Sequence, residues 1–146
     1  MFDTLLRRLL SPGSAPLPAP EAHLALGALL VRVARADGIY APAEQARIDR
    51  VLARLYAQSP FAAAQMRAEA EQLETEAPDT VRFTRALKAA VPLEERAALV
   101  QGLWSVALAD GGRADEEDQL LRLIANLLGL TDRESAEARQ RAEREA

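Results

Sequence analysis

The stretch Val33-Ala34-Arg35-Ala36-Asp37-Gly38, followed by Glu44, recurs later in the chain as Val106-Ala107-Leu108-Ala109-Asp110-Gly111, followed by Glu117. The Asp and the Glu both recur after 73 residues, and the apolar positions around them keep this register. Each copy has the pattern of an apolar helix, a tight acidic Asp-Gly turn and a second apolar helix. The repeat therefore predicts two related helical hairpins that pack together.

The rest of the chain has helix signals and no strand signals. No stretch alternates apolar and polar residues with the period of two that strands show. Ser59-Pro60 marks the start of a more polar helix, which we place outside the core with Phe61, Met66 and Leu73 as its main apolar anchors. The sequence thus predicts an all-α fold, a compact bundle of seven or eight helices built from two pseudo-symmetric helical hairpin repeats.

Three segments differ in composition. Residues 1–20 combine a short amphipathic stretch, residues 2–10, with a tether that has four prolines between Pro12 and Pro20. Residues 21–138 hold the helical pattern, and residues 139–146 form a charged tail without apolar anchors that we expect to fray. The amphipathic stretch could dock on the bundle, on a partner or on a membrane surface. We favour the bundle, because two arginines are weak grounds for membrane binding.

Composition narrows the class of protein. The 146 residues are enough for one domain with a real core, and the absence of cysteine excludes disulfides, thiolate metal sites and thiol nucleophiles. The net charge of −4 argues against a nucleic-acid partner, because phosphate binding needs a dense basic patch. The apolar runs are too short to cross a bilayer. We expect a soluble, cytoplasmic protein.

The duplicated acidic residues are the main candidate for a binding site. Asp37 and Glu44 flank the first turn, and Asp110 and Glu117 flank the second. Clustered carboxylates repel one another unless water or a cation separates them. Carboxylate oxygens are ligands for hard cations, so Ca²⁺ or Mg²⁺ is the expected metal, and the second copy adds further acids in the run 115–118.

The same residues also have a purely structural interpretation. Asp-Gly commonly ends a helix, and a Glu near a helix start interacts favourably with the helix dipole or returns a hydrogen bond to the cap. Ala41 and Ala114 have no capping side chain of their own. The spacing also differs from a calcium EF-hand loop, because Ile39 and Ala41 stand where that loop has oxygen ligands.

No residue pattern predicts catalysis. The single histidine, His23, lies beside the Pro-rich tether, where a surface or capping role is expected. Trp104 lies within an apolar helix and is expected in the core. Arg32 and Arg35 are expected to pair with carboxylates rather than with a substrate anion. We therefore predict that the protein is not an enzyme.

The duplicated motif resembles that of the TerB family of tellurite-resistance proteins. The resemblance spans about residues 24–130. It implies a compact helical fold of two pseudo-symmetric halves, a role in bacterial stress and no established reaction. It also implies a metal-binding or interaction surface at the acidic residues, here Asp37, Glu44, Asp110 and Glu117.

The first copy departs from the family pattern. It has Ala41-Pro42-Ala43-Glu44 where many members have a Ser or Asp cap before Pro-Glu-Glu. The first cluster therefore has fewer acidic residues, so the second copy should bind a cation better. Two hypotheses follow: a stress-related module that binds a divalent cation and docks on partner proteins, or a metal-free interaction scaffold whose acidic turns are only helix caps.

Overall fold

The computed structural model describes residues 19–76, 80–109 and 115–145. All regular secondary structure in these ranges is helical, which confirms the predicted all-α class. The amphipathic stretch of residues 2–10 and the helix start expected at Pro78-Asp79 lie outside them. The seven helices are α1 (Ala19–Arg35), α2 (Pro42–Tyr56), α3 (Pro60–Glu76), α4 (Thr80–Ala90), α5 (Leu93–Ala107), α6 (Asp115–Leu127) and α7 (Asp132–Glu145).

Helices α1 and α5 form the centre of the bundle, as their apolar sequences predict. Helix α1 packs against α2, α3, α4, α5 and α6, and α5 packs against α1, α2, α6 and α7. Side chains around most of the circumference of α1 are fully buried, among them Leu26, Leu29, Leu30 and Val33. A helix that is apolar on nearly all sides is stable only when other helices cover it.

Helix α3 contributes to the core, and our prediction that it lies outside was wrong. Its buried residues are Ala63, Ala70 and Leu73, whereas Phe61 is 74% exposed and anchors nothing. The small residues let α3 approach α1 closely: a Cβ atom on Gly27 would lie 2.9 Å from the Cβ atom of Ala70. Close backbone approach thus adds to two predicted anchors, Leu73, which is fully buried, and Met66, which packs partly buried against the core.

Residues 139–145, where we expected fraying, belong to α7, which is helical as far as Glu145. Its inner face is made of small residues, and Ala138 and Ala142 are both buried. Two carboxylate oxygens of Glu145 accept hydrogen bonds, one from Arg54 at 2.6 Å and one from Gln101 at 2.7 Å. Small side chains can pack as closely as large ones when the opposing helix is near.

Two helix ends and one helix start have the geometry that their sequences indicate. Gly38 has φ +84° and Gly129 has φ +90°, the left-handed conformation that glycine adopts most readily at helix ends. At the start of α7, the N–H of Thr131 donates to Glu134 at 2.9 Å, and the N–H of Glu134 donates to the Thr131 hydroxyl at 3.1 Å. This is a capping box, which a Thr followed three residues later by a Glu indicates in the sequence. The predicted pseudo-twofold relation of the hairpins stays a prediction.

Candidate functional site

The first Asp-Gly junction joins α1 to α2 through residues 36–41. Asp37 Oδ1 accepts a hydrogen bond from the N–H of Ile39 at 2.9 Å, which closes a turn over Gly38. Such turns let a short acidic side chain replace a backbone acceptor. The Asp37 carboxylate therefore shapes the turn that directs the chain into α2.

Glu44 lies at the other end of this junction, in the first turn of α2. Its side chain is fully buried, and its Oε1 atom accepts a hydrogen bond from the N–H of Ala41 at 2.9 Å. Ala41 has an extended backbone and no side-chain capping bond. Glu44 thus supplies one half of a capping box, and its negative charge interacts favourably with the helix N-terminus.

The second junction is only partly within the described ranges. Glu117, in the first turn of α6, is 1% exposed and so matches the burial of Glu44. Asp118 is half-buried beside it. Asp110 and the turn residues up to Ala114 lie outside the described ranges. The structure therefore places Asp37, Glu44 and Glu117 and brings Asp37 and Glu44 to the two ends of one turn.

The first junction brings two predicted cation ligands, Asp37 and Glu44, to one turn. Across the described residues, no group of three or more His, Cys, Asp or Glu side chains is arranged to hold a metal ion. Asp37 and Glu44 each already accept a backbone N–H. Ca²⁺ takes six to eight oxygens and Mg²⁺ requires near-octahedral geometry. Cation binding by Asp37 and Glu44 stays a prediction.

A hydrogen-bonded network next to the first junction was not predicted. The Tyr40 hydroxyl donates to Glu71 at 2.5 Å, and Arg67 donates to Glu71 at 3.0 Å and to Asp49 at 2.6 Å. Burial and the Glu71 carboxylate raise the pKa of Tyr40 above its ordinary value. Burial alone would lower the pKa of Arg67, but Asp49 and Glu71 outweigh it and raise that pKa. The network fixes α3 against the turn and α2.

The two arginines before the turn pair with a carboxylate, as predicted. Arg32 Nε donates to Glu74 Oε2 at 3.1 Å, and Arg35 Nη1 donates to Glu74 Oε1 at 2.7 Å. The Arg35 guanidinium also lies over the Tyr40 ring, 5.0 Å from its centroid. These contacts join the end of α1 to α3 and hold the junction in a defined orientation.

Trp104 is in the core, as predicted, but its indole also has a polar partner. Its Nε1 atom donates to the Ser135 hydroxyl at 3.1 Å, and the Arg139 guanidinium lies 5.7 Å from the centre of the ring. These residues line a small polar cavity of about 190 Å³ between α5, α6 and α7, together with Asp118, Arg122 and Asp132. Its lining carries both charge signs, so it favours neither cations nor anions.

His23 stacks on an aromatic ring. Its imidazole lies parallel to the ring of Tyr56, with 3.5 Å between the centroids. Burial lowers the pKa of His23 from its ordinary value of 6.5 and raises the pKa of Tyr56. Both side chains line a groove at the start of α1. The sequence placed His23 at the surface but gave no signal for this stacking partner.

Comparison with known proteins gives one match. A family model described as "Tellurite resistance protein TerB" matches residues 23–140, which is most of the chain. No curated protein and no solved structure matches it. None of the helices in the described ranges is both long and apolar enough to span a membrane.

Proposed function

Because this chain belongs to the TerB family, we propose that it is a cytoplasmic stress-related module of the tellurite-resistance type. In this proposal the second Asp-Gly junction binds a divalent cation, Ca²⁺ or Mg²⁺, and the domain docks on partner proteins. The proposal includes no enzymatic reaction. The observation that carries it is the acidic run Asp115-Glu116-Glu117-Asp118, which the first copy lacks and in which Glu117 is 1% exposed.

The two copies differ in a way that favours the second. Asp115, Glu116 and Asp118 stand where the first copy has Pro42, Ala43 and Gln45. Ionised carboxylates that follow one another in the sequence repel one another, and a cation bound among them reduces this repulsion. The first copy has no such excess of charge, and its two carboxylates serve as backbone acceptors. Asp110 and Glu117 are therefore the proposed cation ligands, and Asp37 and Glu44 are proposed to act as caps.

Thermal unfolding of chelator-stripped protein tests the cation proposal. Ca²⁺, Mg²⁺, Mn²⁺ and Zn²⁺ are titrated in turn, because a ligand at 100 times its dissociation constant stabilises the folded state by about 2.7 kcal/mol. We expect a saturable rise in Tm with Ca²⁺ or Mg²⁺ that the double variant Asp110→Asn/Glu117→Gln abolishes. The matched variant Asp37→Asn/Glu44→Gln should keep the rise. The readout is the shift on adding the ion, so a lower starting Tm does not obscure it.

The second candidate function is a metal-free interaction scaffold. The capping bonds of Asp37 and Glu44 favour it, since they give these carboxylates a role that needs no ion. No rise in Tm with any ion at millimolar concentration would support this candidate and contradict the cation proposal. Pull-downs with and without residues 1–20 would then show which part docks: equal recovery of a partner excludes the N-terminal segment.

A further inference from the structure

A groove of about 530 Å³ lies where the start of α1 meets the end of α2 and the start of α5. Its apolar lining includes Ala22, Tyr56, Val91 and Leu99. We call it the α1–α5 groove. Grooves with apolar floors of this kind take the apolar face of an amphipathic helix. The groove is separate from the first Asp-Gly junction, since none of residues 36–41 lines it.

One rim of the groove is acidic. Glu94 and Glu95, in the first turn of α5, line the groove and are exposed. Neither side chain forms an ion pair within the ranges that the structure describes. An amphipathic occupant that presents basic residues beside an apolar stripe would match both the floor and this rim.

Residues 2–10 have this pattern. Their apolar residues recur at i, i+3, i+4, i+7 and i+8, which places them on one stripe of a helix: Phe2, Leu5, Leu6, Leu9 and Leu10. At 100° per residue, Asp3 falls at one edge of this stripe, Arg7 and Arg8 fall beyond its two edges, and Thr4 falls opposite it. The segment therefore offers an apolar face with positive charge beside it.

We propose that residues 2–10 dock in the α1–α5 groove of the same chain, with the apolar stripe on its floor and the two arginines facing Glu94 and Glu95. The position of the groove favours this occupant over any other. Ala22 and His23 lie in the first turns of α1, so the chain enters the helix beside the groove.

The tether is long enough for residues 2–10 to reach the α1–α5 groove. Residues 11–18 connect the segment to α1, and a Pro-rich chain spans about 3.1 Å per residue, or about 25 Å in total. The groove begins about one helical turn, roughly 5.4 Å, from the start of α1. A short link of this kind gives an effective concentration in the millimolar range. Docking can therefore persist although a nine-residue helix is marginal by itself.

Paramagnetic relaxation enhancement in the full-length protein tests the proposal. The chain has no cysteine, so Thr4→Cys provides a unique site for a nitroxide label on the side opposite the apolar stripe. We expect strong relaxation enhancement at the backbone amides of His23, Tyr56 and Ala98. The amides of Arg122 and Ala136, which line a different cavity, should show several-fold less.

Charge reversal supplies the control. Arg7→Glu/Arg8→Glu should reduce the enhancement at the groove several-fold, and adding Glu94→Arg/Glu95→Arg should restore it. Adding Glu76→Arg/Glu137→Arg instead reverses two exposed carboxylates outside the groove and should not restore the enhancement. The four glutamates are exposed, and the two arginines lie outside the helical domain. The amide spectrum of each variant reports whether it keeps its fold.

Three results would overturn the proposal. Enhancement that is unchanged in the Arg7→Glu/Arg8→Glu and Leu5→Ser/Leu9→Ser variants would show that neither charge nor the apolar stripe holds the segment. Enhancement spread evenly over the domain would show that the segment does not dock. Enhancement at the groove of isotope-labelled chains mixed with spin-labelled, unenriched chains would assign the groove to the segment of a second copy.

Discussion

Glu44 shows how one side chain can replace a missing cap. Ala41 precedes α2 and has no oxygen to offer, yet its own N–H is paired because Glu44 Oε1 accepts it at 2.9 Å. Glu is among the residues least often fully buried, so a carboxylate without exposure needs such donors. The sequence predicted this role as one of two alternatives, because the cap and its partner are only three residues apart.

Removing the Glu44 carboxylate should destabilise the fold. Glu44→Ala deprives the Ala41 N–H of its acceptor and leaves a buried space, so we expect a loss of about 1–3 kcal/mol in the free energy of unfolding. Glu44→Gln keeps an oxygen acceptor and should lose less. Urea unfolding measures both, with the exposed Glu76→Ala as the control. Equal stability of the Glu44→Ala variant and wild type would contradict the capping role.

His23 should make stability depend on pH. Its pKa is lowered by burial, so below the ordinary value of 6.5 the unfolded chain binds a proton more readily than the folded one. The stability that neutral His23 contributes is thus complete above about pH 6.5 and is lost as the pH falls below that value. Between about pH 7.5 and pH 5.5, Tm should fall further in wild type than in His23→Gln. The comparison cancels the pH dependence that both proteins share, and parallel curves would refute the prediction.

At the scale of helices, the sequence predicted the features that depend on large apolar residues and on local turns. The apolar faces of α1 and α5 were evident from Leu and Val spacing, and the ends at Gly38 and Gly129 from local turn chemistry. Helices α3 and α7 were misjudged for one shared reason. Their inner faces consist largely of alanine, and alanine is equally common on exposed helix faces. Only the closeness of the opposing helix decides which alanines are buried.

The network of Tyr40, Glu71, Arg67 and Asp49 could not be predicted for a different reason. Its members come from the first junction, α3 and α2, and charged residues on a helix surface give no sign of which neighbour they will face. The pairing of Arg32 and Arg35 with some carboxylate was predictable from charge alone. That Glu74 is the partner follows from the packing of α3 on α1.

The close approach of α1 and α3 is testable at Gly27. A Cβ atom there would lie 2.9 Å from the Ala70 Cβ atom, and since both helices are rigid, Gly27→Ala should cost about 1–3 kcal/mol of stability. Gly27→Ala/Ala70→Gly moves the methyl group to the other helix and should recover part of the loss. With Ala70→Gly as the control, chemical denaturation completes a double-mutant cycle. Purely additive losses would show that the two positions do not touch.

At the scale of the whole molecule, α7 closes the bundle against α5 and α6, and its Glu145 contacts Arg54 of α2. Truncation after Ala138 removes the buried Ala142 and the hydrogen bonds that Glu145 accepts from Arg54 and Gln101. A loss of about 1–2 kcal/mol corresponds to several degrees in Tm for a domain of this size. Differential scanning calorimetry measures it, with the exposed Arg144→Gln as the control. An unchanged Tm would mean that these residues add nothing to the fold.

The two junctions of the whole chain are predicted to differ, although their motifs repeat. Glu44 and Glu117 are equally buried, and Ile48 and its counterpart Leu121 are both in the core. Charge, however, is concentrated in the second copy alone, at positions 115–118. We therefore propose that the first junction shapes the turn and that the second binds a cation.

The number of cations bound per chain tests this claim most directly. Isothermal titration calorimetry of the chelator-stripped, full-length protein with Ca²⁺, and separately with Mg²⁺, reports it without reference to stability. We expect one ion per chain for at least one of the two metals, with binding unchanged in Asp37→Asn/Glu44→Gln and absent in Asp110→Asn/Glu117→Gln. Two equivalent ions per chain, or no binding of either metal, would contradict it.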